Sequence, residues 1–154
     1  MFKEMRRKNR ELETEEAIEI LKKCEYGILS TVGENEYPYG VPVSYIYYND
    51  AIYFHSAIEG NKLDNILNNN KVSFCVVGDT EVLPHIFSTN YESVIIFGKA
   101  TEVFEGEKIS ALIEILNKYS KEYLQEGKEY IKNASAKVKL VKISIDHISG
   151  KARK

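Results

Sequence analysis

The residues with most to offer chemically lie in one run, His55-Ser56-Ala57-Ile58-Glu59-Gly60-Asn61-Lys62-Leu63-Asp64-Asn65. A strand closes on hydrogen-bonding side chains, a glycine-containing loop turns, and a helix starts at an amide followed by a lysine. Backbone N–H groups at a helix start carry partial positive charge, and the Lys62 ammonium adds a full one. That combination suits a phosphate monoester. A plainer reading stands beside it, with His55 at the surface end of a strand and Lys62 a solvated helix charge. The second informative segment is Tyr37-Pro38-Tyr39-Gly40-Val41-Pro42-Val43-Ser44-Tyr45. Its two prolines interrupt a strand pattern and leave backbone groups without ladder partners. A flat heteroaromatic ring can lie against such a strand. So can a second subunit, packed on the tyrosines.

Other chemistries find no support. No GxGxxG follows a strand and no Walker-type loop exists, so dinucleotide and triphosphate cradles of those kinds are not indicated. His55, His85 and His147 lie in separate segments without metal-ligand spacing, and no metal is expected. No GxSxG elbow marks a nucleophilic serine.

The elements that must position these residues read mostly as strands. Thr14 with Glu15 and Glu16 marks a helix start, followed by the apolar stripe Ala17, Ile18 and Leu21. Gly27–Val32 reads as a strand, residues 33–36 as its turn, and Tyr37–Tyr48 as a strand that is edge-lying, bulged or bent at its prolines. Asn49-Asp50 signals a hairpin, with Ala51–His55 returning. A short helix over Asn61–Asn69 turns Leu63, Ile66 and Leu67 inward, and Val72–Val77 reads as a strand covered on both faces. Pro84 leaves 78–90 without a regular pattern. Glu92–Phe104 is a long strand apolar on both faces, which suits a barrel lining on one side and a helix or second subunit on the other. Helices follow over Glu107–Leu124 and Lys128–Ala134. In Val138–Ile148 the apolar parity changes between Leu140 and Val141, as a β-bulge would produce. The expectation is a mainly β fold, an antiparallel barrel of about six strands with peripheral helices.

The 154 residues fit one domain, 1–154, with residues 1–12 as an N-terminal arm. A net charge of -2 offers no general attraction to nucleic acid, and the cluster Arg6-Arg7-Lys8-Asn9-Arg10 reads as a short solvated arm. No apolar run is long enough for a membrane span. Met1-Phe2-Lys3-Glu4 opens no signal peptide, and Cys24 and Cys75 form no CxxC pair. The expected location is the cytoplasm.

Taken together the segments resemble one family. Glu25-Tyr26-Gly27-Ile28-Leu29-Ser30-Thr31, Tyr37–Tyr45, Tyr53–Asn65, Val72-Ser73-Phe74-Cys75-Val76-Val77-Gly78, Thr89-Asn90-Tyr91-Glu92-Ser93-Val94 and Ile148-Ser149-Gly150-Lys151-Ala152-Arg153 occur in its order and spacing. The chain is similar to pyridoxamine 5'-phosphate oxidase-like flavoproteins, in particular the nitroimidazole-resistance (Nim-type) branch. The resemblance spans residues 5 to 154. It implies a six-stranded FMN-binding split barrel and a homodimer with FMN at the subunit interface. Val43, Ser44 and Tyr45 would lie along the isoalloxazine ring. His55, Ser56 and Ala57 would meet the ribityl chain and phosphate, and Asn61 and Lys62 the phosphate. Ser93, Lys151 and Arg153 would approach from the partner subunit, though Lys151 and Arg153 read equally as solvated tail charges. Tyr39 and Tyr45 are the substrate-side candidates.

Departures from the family matter. Arginines that surround the flavin phosphate and substrate in the true oxidases are missing, with Asn61 at the loop position, so vitamin B6 oxidation is not implied. Tyr39 stands where some Nim-type proteins carry a histidine. The implied activity is flavin-dependent reduction or oxidation of a small molecule, a nitroaromatic among the candidates. The alternatives are a flavin- or haem-binding protein without turnover, a deazaflavin in place of FMN, and a barrel module that binds no cofactor.

Overall fold

A computed structural model describes all residues, 1–154. Eight strands form one curled antiparallel sheet, β1 (Glu11–Leu12), β2 (Tyr26–Val32), β3 (Pro38–Ser44), β4 (Ile46–Tyr48), β5 (Ala51–Ala57), β6 (Lys71–Leu83), β7 (Ser88–Val103) and β8 (Val138–Arg153). The order is β3-β2-β6-β7-β8-β5-β4, with the two-residue β1 added to β8. Helices α1 (Thr14–Lys23), α2 (Asn61–Asn68), α3 (Glu105–Tyr119) and α4 (Leu124–Ala134) lie around it. The mainly β split barrel with peripheral helices is therefore as expected, with seven strands in its path rather than six. The extra strand comes from Tyr37–Tyr48, which divides at Tyr45 into β3 and β4.

Two apolar clusters hold the fold. Leu29, Phe54, Phe74, Val94, Ile96 and Ile143 belong to the larger one, which fills the barrel. The smaller one, including Tyr53, Val103, Leu112, Ile131 and Leu140, lies under α3 and α4. This second layer explains why β8 looks apolar on both faces; on β7 only Val103 joins it, while Ile95 and Phe97 lie on an exposed face. The same layer also corrects the bulge position. Register runs unbroken past Leu140 and Val141, because Leu140 faces the helices while Val141 and Ile143 face the barrel. The bulge comes later, where Phe97 pairs His147 and Gly98 pairs Ile145.

Sequence patterning underestimates the strands. Residues 78–90 continue the β6–β7 ladder past a bulge at Val77/Thr80 to a tight turn at Pro84–Ile86, where Phe87 takes φ 54°. The proline that masks the pattern forms the turn. Leu67 is also misassigned: it is exposed, and the buried face of α2 is Leu63, Asn65 and Ile66. Asn65 takes the inward place because its amide donates to Thr31 Oγ1 at 3.0 Å.

Candidate functional site

The site begins where a hairpin fails to close. β4 pairs with β5 from Tyr48–Ala51 to Ile46–Tyr53. Continued by one register, that ladder would set Tyr45 opposite Phe54, then Ser44 opposite His55, Val43 opposite Ser56 and Pro42 opposite Ala57. Instead β3 pairs with β2 alone, and Phe54–Ala57 pair with β8 alone. Two strand edges thus face each other without a ladder, and the backbone groups that point from β3 and β5 into the gap have no strand partner there. Pro38 and Pro42 fit this, since a proline is tolerated on an edge strand.

The side chains along this seam divide by strand parity. On β5, His55 and Ala57 are exposed while Ser56 is buried, its hydroxyl donating to the Ala57 carbonyl at 2.9 Å. On β3, Val43 packs partly against the barrel core and Ser44 is exposed. Tyr45 departs from its expected role. Its ring is fully buried edge-on to Phe74 at 4.9 Å, and its hydroxyl donates to the Leu21 carbonyl at 2.5 Å. Burial pushes the phenol far above its ordinary pKa. This side chain cannot face a substrate; only its backbone borders the seam.

That backbone is held from an unexpected direction. Tyr45 N–H donates to Tyr119 Oη at 3.0 Å, and Lys118 Nζ donates to the Tyr45 carbonyl at 2.9 Å. Tyr119 Oη also lies 2.5 Å from the Glu25 carbonyl. The Lys118 ammonium sits 3.9 Å above the Tyr45 ring. Burial lowers its pKa to about 8, against opposing pulls from Cys24 and Glu25. Sequence reasoning missed both residues: Lys118 and Tyr119 end a helix more than seventy positions from Tyr45, and neither belongs to a local motif.

At the far end of the seam the loop turns into α2. Gly60 has φ 151° and ψ 168°, a conformation essentially reserved to glycine, and no side chain caps the helix it starts. The first N–H groups of α2 therefore have no intrahelical or capping partner. Lys62 lies near His55 and repels its protonated form. Protein packed around the imidazole is the larger influence, and together they hold His55 below its ordinary pKa. Between the β2–β3 turn and the start of α2 lies a cleft of about 610 Å³ lined by Gly33, Asn35, Tyr37, Tyr39, Asn61 and Asp64, among others. Tyr39 and Asn61 thus share one wall region, while Tyr45 lies elsewhere.

Ser93 and Lys151 are not part of this constellation. They are cross-strand partners on β7 and β8, beside a cleft of about 430 Å³ under the N-terminal arm. Lys151 lies twelve residues along β8 from Lys139, the partner of Ser56. Arg153 is no loose tail charge: it lies in β8 and donates to Asn90 Oδ1 at 2.6 Å. No His, Cys, Asp and Glu side chains gather in threes as a metal site would need.

Comparison with known proteins follows the same lines. The sequence profile of pyridoxamine 5'-phosphate oxidase matches residues 13–152. No curated protein matches the chain. Among solved structures, a conserved hypothetical protein from Mycobacterium tuberculosis superposes with TM-score 0.82 at 19% identity, over 96% of this chain and 90% of that one. An FAD and haem binding protein from Mycobacterium smegmatis gives 0.75 at 15%, over 92% and 72%. A Bacteroides thetaiotaomicron protein provisionally assigned to 5-nitroimidazole antibiotic resistance gives 0.74 at 23%, over 92% and 86%. At these identities the likeness is one of fold.

Proposed function

The chain belongs to the pyridoxamine 5'-phosphate oxidase family, and from that premise we propose that it binds FMN in the β3–β5 seam and serves as a flavin-dependent oxidoreductase of a small molecule. The carrying observation is the seam itself, an unpaired pair of strand edges that ends at an uncapped helix N-terminus bearing Lys62. The residues present fit the cofactor. A flat ring can lie along Val43, Ser44 and the Tyr45 backbone. The phosphate fits the first turn of α2 at Asn61 and Lys62, with His55, Ser56 and Ala57 along the connecting chain. When bound, a flavin supplies two-electron and one-electron redox chemistry. The protein's part is to bind, orient and exclude water. Tyr39 is the remaining phenol on the substrate side, now that Tyr45 is buried.

Two supports shape the finer reading. The Bacteroides relative's description favours nitro compounds as acceptors. The outer sheet face carries Tyr26, Ile28, Val77, Ile95 and Phe97, all at least partly exposed, and Ser93 and Lys151 share that face. A homodimer joined there would cover apolar surface and present Ser93 and Lys151 to the partner's seam. No helix is long and apolar enough to cross a membrane; two free thiols, Cys24 and Cys75, favour a reducing compartment such as the cytoplasm. Haem is the second reading, favoured by His55, a histidine on the seam able to ligate iron.

An absorbance spectrum of the purified protein and a titration with FMN test this. Flavin bands and stoichiometric uptake are expected, and a haem spectrum would select the second reading. Lys62→Ala should weaken FMN binding by about 1.5–3 kcal/mol, the worth of a charge-assisted contact. Equal affinity would remove Lys62 from the site.

A further inference from the structure

We infer that Lys118 and Tyr119, at the end of α3, are positioning residues that keep the β3–β5 seam open by occupying the backbone of Tyr45. The role rests on the flavin reading of that seam. Tyr45 is the hinge position, the last residue at which β3 could still zip onto β5. A residue in an antiparallel pair needs its N–H and C=O satisfied, and the neighbouring strand is the default source. Here Tyr119 Oη accepts from the Tyr45 N–H at 3.0 Å and Lys118 Nζ donates to its carbonyl at 2.9 Å. With both groups satisfied, nothing draws Tyr45 towards Phe54, and β3 is released to pair with β2 from Ser44 onward.

Three contacts keep the two side chains in place. The Lys118 ammonium stacks on the Tyr45 ring at 3.9 Å, the ring is fixed by the hydroxyl bond to Leu21, and Tyr119 Oη reaches the Glu25 carbonyl. Together α1, the start of β2 and α3 clamp one residue. Lys118 reaches the seam through Tyr45, and Tyr119 through Tyr45 and the neighbouring Ser44 side chain. The charge on Lys118 gives the arrangement a signature. The groups around it are the Cys24 thiol and Glu25 carboxylate between α1 and β2, the Tyr45 phenol, and the Tyr119 phenol on its own helix. Cys24, Tyr45 and Tyr119 are all held above their ordinary pKa values, chiefly by burial, and keep their protons between pH 7 and 9. Lys118, lowered to about 8 by burial, changes charge within that range. As it loses its proton the cation–π contact weakens and the clamp loosens.

The test is FMN affinity from pH 7 to 9 for the wild-type protein and the Lys118→Met, Lys118→Arg and Tyr119→Phe variants, with folding checked by circular dichroism. Wild-type affinity should fall severalfold as pH rises through about 8. Lys118→Met and Tyr119→Phe should each bind about tenfold more weakly at pH 7, the loss of roughly one hydrogen bond. Lys118→Met should show no step near pH 8. Lys118→Arg should restore affinity and flatten the profile, because arginine keeps its charge. Folded Lys118→Met and Tyr119→Phe with wild-type affinity and an unchanged step would overturn the role while leaving the flavin reading intact. Failure of the wild-type protein to take up FMN at any pH would overturn the flavin reading, and the role with it.

Discussion

His55 shows how a single side chain reports on the seam. Its folded pKa lies below its ordinary value because surrounding protein and the Lys62 ammonium both disfavour the imidazolium. The unfolded chain therefore takes up the proton first as pH falls below about 6.5, and His55 costs stability from there down through its folded pKa. A phosphate docked at Lys62 reverses the local sign, neutralising the ammonium and favouring the imidazolium. In an NMR titration, the His55 pKa should start below 6.5 and rise when FMN is added. Riboflavin, which lacks the phosphate, should leave it in place. An FMN-independent value would detach His55 from the phosphate end. Tyr45 makes the opposite point: a tyrosine in a proline-bent segment looks available for chemistry, and burial with a bond to Leu21 turns it into a core residue.

At the level of elements, the barrel depends on how β7 and β8 curve past one another. Their bulge sits at Gly98, where an added Cβ would run into the Ser144 backbone carbonyl and the Ile143 side chain. Backbone cannot give way as a flexible side chain can. Gly98→Ala should therefore lower stability by about 1–3 kcal/mol or more, as an overpacked core does. Urea denaturation followed by fluorescence measures it, and an unchanged midpoint would mean the bulge has room after all. The bulge itself left no mark in the apolar pattern, and the parity change at Leu140 and Val141 lies before it, in unbroken register. Leu140 and Val141 are both buried, against different layers, so their mismatch reflects a second apolar cluster rather than a break in register. The ends of β6 and β7 escaped the pattern for a related reason: both strands run on beyond the core, where alternation no longer records burial.

For the whole molecule, the apolar sheet face is the feature the chain's own helices leave uncovered. Ile28, Cys75 and Ile95 lie in one cross-strand row, with Phe97 in the next and Phe2 of the N-terminal arm stacked 5.3 Å from it. Covering this face with a second copy would also deliver Ser93 and Lys151 to a seam their own chain cannot reach. Light scattering should give a dimer at micromolar concentration. The double change Ile28→Glu, Ile95→Glu should give a folded monomer with weakened FMN binding. A wild-type monomer that binds FMN fully would refute the shared site.

The sequence alone determined the class of fold, the glycine turn at Gly60 and the amide and lysine that open α2, because these follow from local patterning and from residues adjacent in the chain. Tertiary structure decided which groups border the seam. Whether Tyr45 lines the seam or fills the core, whether Arg153 is free or tied to Asn90, and that Lys118 and Tyr119 hold the seam apart all depend on contacts between distant segments. Such contacts leave no periodicity behind, since a side chain that satisfies another strand's backbone is chosen by position in space and not by spacing along the chain.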